Sequence, residues 1–485
     1  MNKPPQHELI SLLEHYQSGK NDKTEKLALS MTQKFPKNQF GWKILGAVLR
    51  QAGRKIEALN AIQKSIELSP KDFEAHNNLG LTLRDLGRLE EAEVSLKKAI
   101  ALKSDFYAAH SNLGIILVAM NRFEEAEVSL KKAIALKSDF YEGHNKLSII
   151  LAAMNRFEEA EKSCRQAIVL KPDYTEGYNN LGLILKELSK FEEAEASFRH
   201  AIMLKPDYAE AYNNLGITIA ELGKFEEAEK RCRQAISLEP DYAEAHSNLG
   251  IILYGNGDID SAIISIEKAN LIDPKSSTYN LFLSILQARK VRHNAEIRIG
   301  NINNSDSNLE LPRKIFISNK SVEEELLAYL YKIKLIDLEK ENDPSFGNAR
   351  GSKYELFDDD HPIIKTLEEE LTKIMMEAVK SEIYIFASFF SIFGAGGGTK
   401  RHNHINSKDK VSILNLAKQK YSLVYYLSVG DQECKEPGFL KLYEPSEDIL
   451  PNEGLITIFP ADRQHSSFYG GNKDRVIVGV NFYSI

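Results

Sequence analysis

Three cysteines in 485 residues are too few for a disulfide framework, and the thiols are expected to stay reduced. Positive charge is also scarce: 62 Lys and Arg against 69 Asp and Glu leave a net charge of −7, with no broad basic surface, so nucleic acid is excluded as the default partner. Nowhere does an apolar run approach the roughly 18 residues of a membrane-spanning helix. The opening MNKPPQHELI holds two prolines where a signal peptide would hold its apolar core. A cytoplasmic chain with no membrane partner is the expectation. One compact core is excluded by length, since 485 residues at about 150 per domain allow two to four units.

What the chain does have is self-similarity. Leu-Gly recurs at Leu45/Gly46, Leu79/Gly80, Leu113/Gly114, Leu181/Gly182, Leu215/Gly216 and Leu249/Gly250, with Leu147/Ser148 filling the gap, at a period of 34 residues. An alanine follows each small residue twelve positions on, at Ala58, Ala92, Ala126, Ala160, Ala194, Ala228 and Ala262. Pro36, Pro70, Pro172, Pro206, Pro240 and Pro274 close most units, and Ser104 and Ser138 close two others. Each unit reads as an apolar helix, a turn such as DLGR or ELGK, a second helix rich in Glu and Ala, and a Lys-Pro-Asp-like stop. Small residues let the paired helices approach, and proline ends the second one. A lone hairpin cannot bury its apolar face, so neighbours must stack. Cys164 and Cys232, 68 residues apart, are one repeat position seen twice.

The phase of Trp42, Leu45, Gly46, Ala58 and Pro70 resembles the tetratricopeptide repeat. That resemblance implies an all-α superhelix over residues 1–290, with about eight repeats, a degenerate first unit at 1–38 and a capping helix at 277–290. The segment EEAEVSLKKAIALKSDFY is identical at 90–107 and 124–141, which points to internal duplication and to similar surfaces on the two units.

Two positions before the small residue stand Asn78, Asn112, Asn180, Asn214 and Asn248, with Lys146 in the remaining unit. Two readings stay open. An amide both donates and accepts, so a row of them can grip the backbone of an extended peptide, as a similar asparagine ladder does in O-linked N-acetylglucosamine transferases. Equally, the row can tie adjacent repeats together. His76, His110, His144 and His246 also recur in phase, but Tyr178 and Tyr212 replace them elsewhere, which marks a packing position for a flat ring rather than a metal ligand.

After Lys290 the period stops, and RIGNINNSDSNLELPR at 298–313 reads as a linker, placed at 291–312. The remaining 313–485 suffice for one domain. SVEEELLAYLYKI and HPIIKTLEEELTKIMMEAVK are helical, whereas IYIFASFFSIF, YSLVYYLSV, GFLKLYE, GLITIFP and RVIVGVNFYSI read as strands. Two helices backing short strands predict a barrel or jelly roll.

Among only twelve histidines, His402 and His404 stand one residue apart in GGTKRHNHINS, and His465 follows the strand GLITIFP. In a strand, residues two apart share a face, so the pair can point to one centre that His465 completes across a barrel. Imidazole suits Fe, Zn, Cu or Ni, and a facial set with open positions suits a non-haem Fe(II) oxygenase. Arg475 opens the last strand, where a buried guanidinium needs a counter-anion such as a dicarboxylate. Cys434 in GDQECKEPG has no histidine near it in sequence and reads as incidental. GAGGGTK is not followed by a helix with Ser or Thr and fails the phosphate-loop pattern.

The order His402-x-His404, YSLVYYLS, Gly438, GLITIFP, His465, Arg475, VGVNF resembles a 2-oxoglutarate/Fe(II) dioxygenase family with HxH in place of HxD, members of which are fused to tetratricopeptide repeats. It implies an α+β double-stranded β-helix, or jelly roll, with His402, His404 and His465 around Fe(II) and Arg475 on the distal carboxylate of the cosubstrate 2-oxoglutarate. The implied activity is hydroxylation of a substrate C–H bond, with succinate and CO2 as coproducts, on a protein or peptide recruited by the repeats. Three departures stand out. His404 is neutral where relatives carry Asp, the 405–420 stretch is long enough to form a lid, and the family's Arg-x-Ser becomes Arg475-x-Ile477. Tyr421, Ser422 and Tyr426 are candidates to replace the missing hydroxyl on the cosubstrate. Two other readings remain: a non-catalytic repeat scaffold with a degenerate jelly roll, and a three-histidine metal site that uses no 2-oxoglutarate.

Overall fold

Each repeat folds where its sequence says, because apolar side chains at helical spacing need a partner helix and a residue in the left-handed region, glycine or asparagine in most units and Ser189 in one, turns the chain between them. A computed structural model describes residues 4–299, 315–333, 336–337, 347–352, 355–402, 404, 413–434, 437–443 and 445–485. By its internal contacts the chain divides into two units, Met1–Thr218 and Ile219–Ile485.

In the first unit, hairpins form from α1 (Gln6–Gln17) and α2 (Asn21–Lys34), α3 (Gln39–Gln51) and α4 (Lys55–Leu68), and α5 (Phe73–Asp85) and α6 (Leu89–Leu102). They continue with α7 (Tyr107–Ala119) and α8 (Phe123–Leu136), α9 (Tyr141–Ala153) and α10 (Phe157–Leu170), and α11 (Thr175–Glu187) and α12 (Phe191–Leu204). The division falls within α13 (Ala209–Glu221). In the second unit the hairpins go on with α14 (Phe225–Leu238), α15 (Ala243–Gly255) and α16 (Ile259–Ile272), and end in α17 (Ser277–Ile299). No helix among the described residues is long and apolar enough to cross a membrane.

The recurrent small residue meets the side chain sixteen positions on. A Cβ on Gly80 would stand 2.7 Å from Leu96, and one on Gly182 would stand 2.6 Å from Phe198. Where Ser148 replaces glycine, the facing residue is the small, buried Cys164, whose Sγ donates to Gly177 O at 3.2 Å. Gly80→Leu is therefore expected to overpack the hairpin and lower unfolding free energy by roughly 3 kcal/mol, read from the urea midpoint. Burial pushes the thiols of Cys164 and Cys232 up to about 12. In the native chain iodoacetamide should label the partly exposed Cys434 and reach the other two only on unfolding.

Charge stitches neighbouring hairpins as well. Glu93 accepts from Lys97 on its own helix and from Arg122 of the next unit, both at 2.7 Å, and Glu127 repeats the pattern with Lys131 and Arg156.

After the helices, the second unit carries strands β1 (Phe316–Asn319), β2 (Ile336–Asp337), β3 (Gly347–Gly351), β4 (Ile383–His402) and β5 (Lys420–Ser428). Then come β6 (Leu440–Leu442), β7 (Glu447–Ile449), β8 (Leu455–Pro460), β9 (His465–Tyr469) and β10 (Arg475–Ser484). Their order is β1-β8-β5-β10-β4-β9-β6-β7, with β3 on β4 and β2 on β3, all antiparallel. Two helices, α18 (Glu324–Leu330) and α19 (Pro362–Val379), cover one face. Ile364, Leu367, Leu371 and Met375 of α19 pack there on Leu423, Tyr425, Ile456, Val478 and Val480.

Two expectations need correction. Helix α17 runs to Ile299, nine residues into the stretch read as linker 291–312, because its apolar turn pattern has no stop signal at Lys290; residues 300–312 lie outside the described residues. The strand carrying the histidine pair is also longer than read, twenty residues, and ends at His402, so His404 is not held by strand alternation.

Candidate functional site

The asparagines of the array sit half-buried on the first helix of each hairpin, except Asn214, which is buried. Asn112 Nδ2 donates to Asn77 Oδ1 at 2.9 Å, Asn180 to Asn145 at 3.0 Å and Asn214 to Asn179 at 3.2 Å, each reaching 35 residues back into the preceding hairpin. Lys146 takes the same path to Ser111 Oγ at 3.2 Å. Each bond uses one N–H, and an amide has a second N–H and a carbonyl oxygen besides. Asn78 and Asn248 hold the same position in α5 and α15.

The in-phase histidines pack as flat rings and also do something the sequence reading missed. His76 Nε2 bonds Pro70 O at 3.0 Å, His110 bonds Ser104 O at 3.1 Å, His246 bonds Pro240 O at 2.9 Å, and Trp42 Nε1 donates to Pro36 O at 2.9 Å. The shared signal is a ring N–H six residues after the stop residue, which clasps the carbonyl of that stop residue in the turn beyond the preceding helix.

In the strand region, the backbone of His402 pairs with His465 across β4 and β9, while its side chain lies outside the described residues. The main-chain N–H of His404 donates to Ala461 O at 2.9 Å. These anchors bring the His404 and His465 Nε2 atoms to 3.2 Å of each other. His465 is 5% exposed and lies edge-on to Phe459, with ring centroids 4.9 Å apart. Its Nδ1 faces Arg463 O at 3.2 Å, which assigns the proton to Nδ1 and leaves the Nε2 lone pair for a donor or an ion. Two imidazole nitrogens that share one ion at about 2.1 Å and subtend about 100° at it lie about 3.2 Å apart, so this donor pair fits a metal ion. Among the described residues no set of three or more His, Cys, Asp or Glu side chains gathers as a metal site.

Arg475 is 1% exposed. Its guanidinium donates to Val429 O from Nε and Nη2 at 3.3 and 3.2 Å, to Gly438 O from Nη1 at 2.5 Å, and to Pro437 O from Nη2. The rings of Tyr469 and Tyr426 lie 4.6 and 5.9 Å from its central carbon. Burial lowers its pKa, and the neighbouring Tyr426 is pushed up to about 12 by the same cause. His465 and Tyr469 share a face of β9 four residues apart, about 13 Å at roughly 3.3 Å per residue, so one strand face links the histidines to the arginine pocket.

The three candidate hydroxyls separate by strand parity. Tyr426 and Ser422 lie on the Arg475 face of the sheet, where Ser422 Oγ donates to Asn481 Oδ1 at 2.7 Å. Tyr421 belongs to the opposite face, stacked on Phe482 under the covering helices, and the structure does not bring it to Arg475. Ile477 packs with Phe393, Tyr469 and Cys434. Residues 405–412 of the lid stretch lie outside the described residues.

Comparison with known proteins decides the first half. The family described as TPR repeat matches residues 80–120, 182–223 and 218–257, and families described as tetratricopeptide repeat match 61–94, 111–175 and 243–276. Residues 61–276 are tetratricopeptide repeats. No curated protein matches the chain. Among solved structures it is similar to the APC/C hetero-tetramer Cut9-Hcn1, at 15% identity over 55% of this chain and a TM-score of 0.45; the match spans only 52% of that chain. YrrB, a tetratricopeptide-repeat protein with an unusual peptide-binding site, is 25% identical over 39% of this chain and 96% of its own, with a TM-score of 0.33. PilF of Pseudomonas aeruginosa is 22% identical over 46% of this chain and all of its own, with a TM-score of 0.40.

Proposed function

We propose that the tetratricopeptide repeats, within residues 1–290, hold a protein or peptide, and that residues 313–485 form an Fe(II)- and 2-oxoglutarate-dependent hydroxylase that modifies it. The observation that carries the enzymatic half is the approach of His404 and His465 Nε2 to 3.2 Å, with the proton of His465 turned away to Arg463 O. The strand order supports a jelly roll. β4 pairs with β10 through its first half and with β9 through its second, so β4-β10-β5-β8 and β4-β9-β6-β7 form two four-stranded groups sharing one long strand. The half-buried amides of Asn112 and Asn180 each carry a second N–H and a carbonyl besides the bond to the preceding hairpin, which supports peptide holding alongside inter-repeat tying.

In this reading His404 and His465, with His402, hold Fe(II), which supplies oxygen activation coupled to decarboxylation of 2-oxoglutarate. Arg475 supplies the fixed positive charge for the distal carboxylate, and Tyr426 closes its pocket. Phe459 and the buried setting of His465 keep water from that side of the site.

One observation favours the second reading, a non-catalytic scaffold. Four of the five N–H groups of Arg475 already meet main-chain carbonyls, and Ile477 presents an apolar surface where a hydroxyl would help an anion. Anaerobic calorimetry separates the two. On the hydroxylase reading Fe(II) binds the full chain, 2-oxoglutarate tightens it, and Arg475→Ala removes the tightening while Fe(II) still binds. Fe(II) affinity indifferent to 2-oxoglutarate favours the scaffold.

A further inference from the structure

At the end of the array one register position changes character. Successive first helices carry Asp85, Ala119, Ala153 and Glu187 there, and then Glu221, Gly255 and Arg289: an acid, a gap and a base, each 34 residues on. Beside the gap lies a pocket of about 630 Å³, within the roughly 300–1,000 Å³ of small-molecule sites. Glu221 and Arg289 both line it, and every lining residue belongs to the second unit. Phe225, Ile259 and Ile413 supply apolar wall. Phe225 reaches toward the gap, since a Cβ on Gly255 would stand 2.6 Å from its ring.

Arg289 is held in place there. Its Nη1 donates to Tyr254 Oη at 2.7 Å and its Nη2 to Leu414 O at 2.9 Å, and its central carbon lies 5.0 Å from the Tyr254 ring centroid. A guanidinium has five N–H groups, so three are left beyond these two bonds. Tyr254 Oη accepts from Arg289 and so keeps its own proton to give. Near the start of the array the same two positions hold Arg50 and Asp85, which neutralise each other at 3.0 Å. Glu221 is not without a partner, yet a carboxylate has about four lone-pair sites and takes several donors, as Glu93 does from Lys97 and Arg122.

We propose that this pocket binds a free α-amino acid with an apolar side chain. Arg289 and Tyr254 Oη hold its carboxylate, Glu221 accepts from its ammonium, and its side chain lies on Phe225, Ile259 and Ile413. A ligand of one charge leaves a wall unmatched, because a simple anion meets Glu221 and a simple cation meets Arg289. A zwitterion with an apolar arm satisfies acid, base and apolar wall together. No residue lining the pocket belongs to the asparagine row or to the surroundings of Arg475, so the site stands apart from the function proposed above.

Equilibrium dialysis of the full-length protein against labelled L-leucine and L-phenylalanine, with a chelator present to strip metal, tests this. At least one of them should bind with a Kd below about 1 mM. Its primary amide, which lacks the carboxylate, and its deaminated acid, which lacks the ammonium, should each compete at least roughly tenfold more weakly. 2-Oxoglutarate should compete no better than the deaminated acid. Arg289→Gln should lose the preference for the amino acid over its amide and keep the preference over the deaminated acid; Glu221→Gln should do the reverse. Thermal melts check folding, and the competition on the wild type decides the matter even where a variant fails to fold. The proposal is overturned if neither amino acid binds, if an analogue or 2-oxoglutarate competes as well as the amino acid, or if both preferences survive in folded Arg289→Gln and Glu221→Gln.

Discussion

Gly438→Ala is expected to cost the strand region at least about 2 kcal/mol while leaving the early repeats untouched. Gly438 has a φ of +77°, a conformation that charges a side chain roughly 1–2 kcal/mol by itself. A Cβ there would also stand 1.9 Å from Arg475 Nη1. Arg475 cannot retreat, because it is fully buried between Tyr426 and Tyr469, and the carbonyl of Gly438 is one of its own partners. The substitution thus strains the loop and strands the guanidinium together. The single tryptophan, Trp42, sits in α3, so its emission reports the early repeats alone. Amide exchange on β5 and β10 should speed markedly in the variant while the Trp42 transition stays in place. Unchanged protection of β10 would remove Arg475 from its role as the strand region's buried anchor.

Loss of either histidine should have the largest effect on metal binding. His404→Ala and His465→Ala each remove one of the two nitrogens that approach to 3.2 Å, so either change breaks the pair. Losing an outer-shell partner of a metal site typically costs 10–100-fold in affinity, so losing a ligand should exceed roughly 100-fold. Cys434→Ala should change nothing, since Cys434 Sγ donates to Asp431 O in the arginine pocket. Anaerobic Fe(II) titration of the three variants, with circular dichroism as the folding control, checks this. Equal Fe(II) affinity in the wild type and His465→Ala would place any metal elsewhere.

Legibility in the sequence followed the range of the interactions. The repeats were plain because their determinants are local and recur: the glycine, the alanine twelve residues on and the closing proline all sit inside one hairpin. The bonds between hairpins were less plain. Asn112 to Asn77 and Arg122 to Glu93 span 35 and 29 residues, and an in-phase amide does not itself reveal whether it looks to its neighbour or to a ligand. The ring N–H clasps of His76 and Trp42 were readable in principle, since histidine and tryptophan share the hydrogen-bond donor that a purely apolar ring lacks.

In the strand region, the covering helices and the main strands were visible from their periods, but their edges were not. β4 continues through a glycine-rich run that lowers strand propensity, held by pairing to β9 and β3 far away in sequence. Tyr421 and Tyr426 looked equivalent as hydroxyls near Arg475. Their numbers differ by an odd count, and strand alternation sends them to opposite faces, a distinction available from the sequence once the strand is granted. The carbonyl partners of Arg475 are Val429, Pro437 and Gly438, which lie outside the strands and follow no period that would betray them.

O2-dependent release of succinate from 2-oxoglutarate by the full-length protein charged with Fe(II) tests the hydroxylase reading most directly, because uncoupled turnover needs no knowledge of the substrate. The account predicts succinate in the wild type and none without O2, in His465→Ala or in Arg475→Ala. Fe(II) bound by a folded protein that forms no succinate, or succinate formed equally by Arg475→Ala, would contradict it.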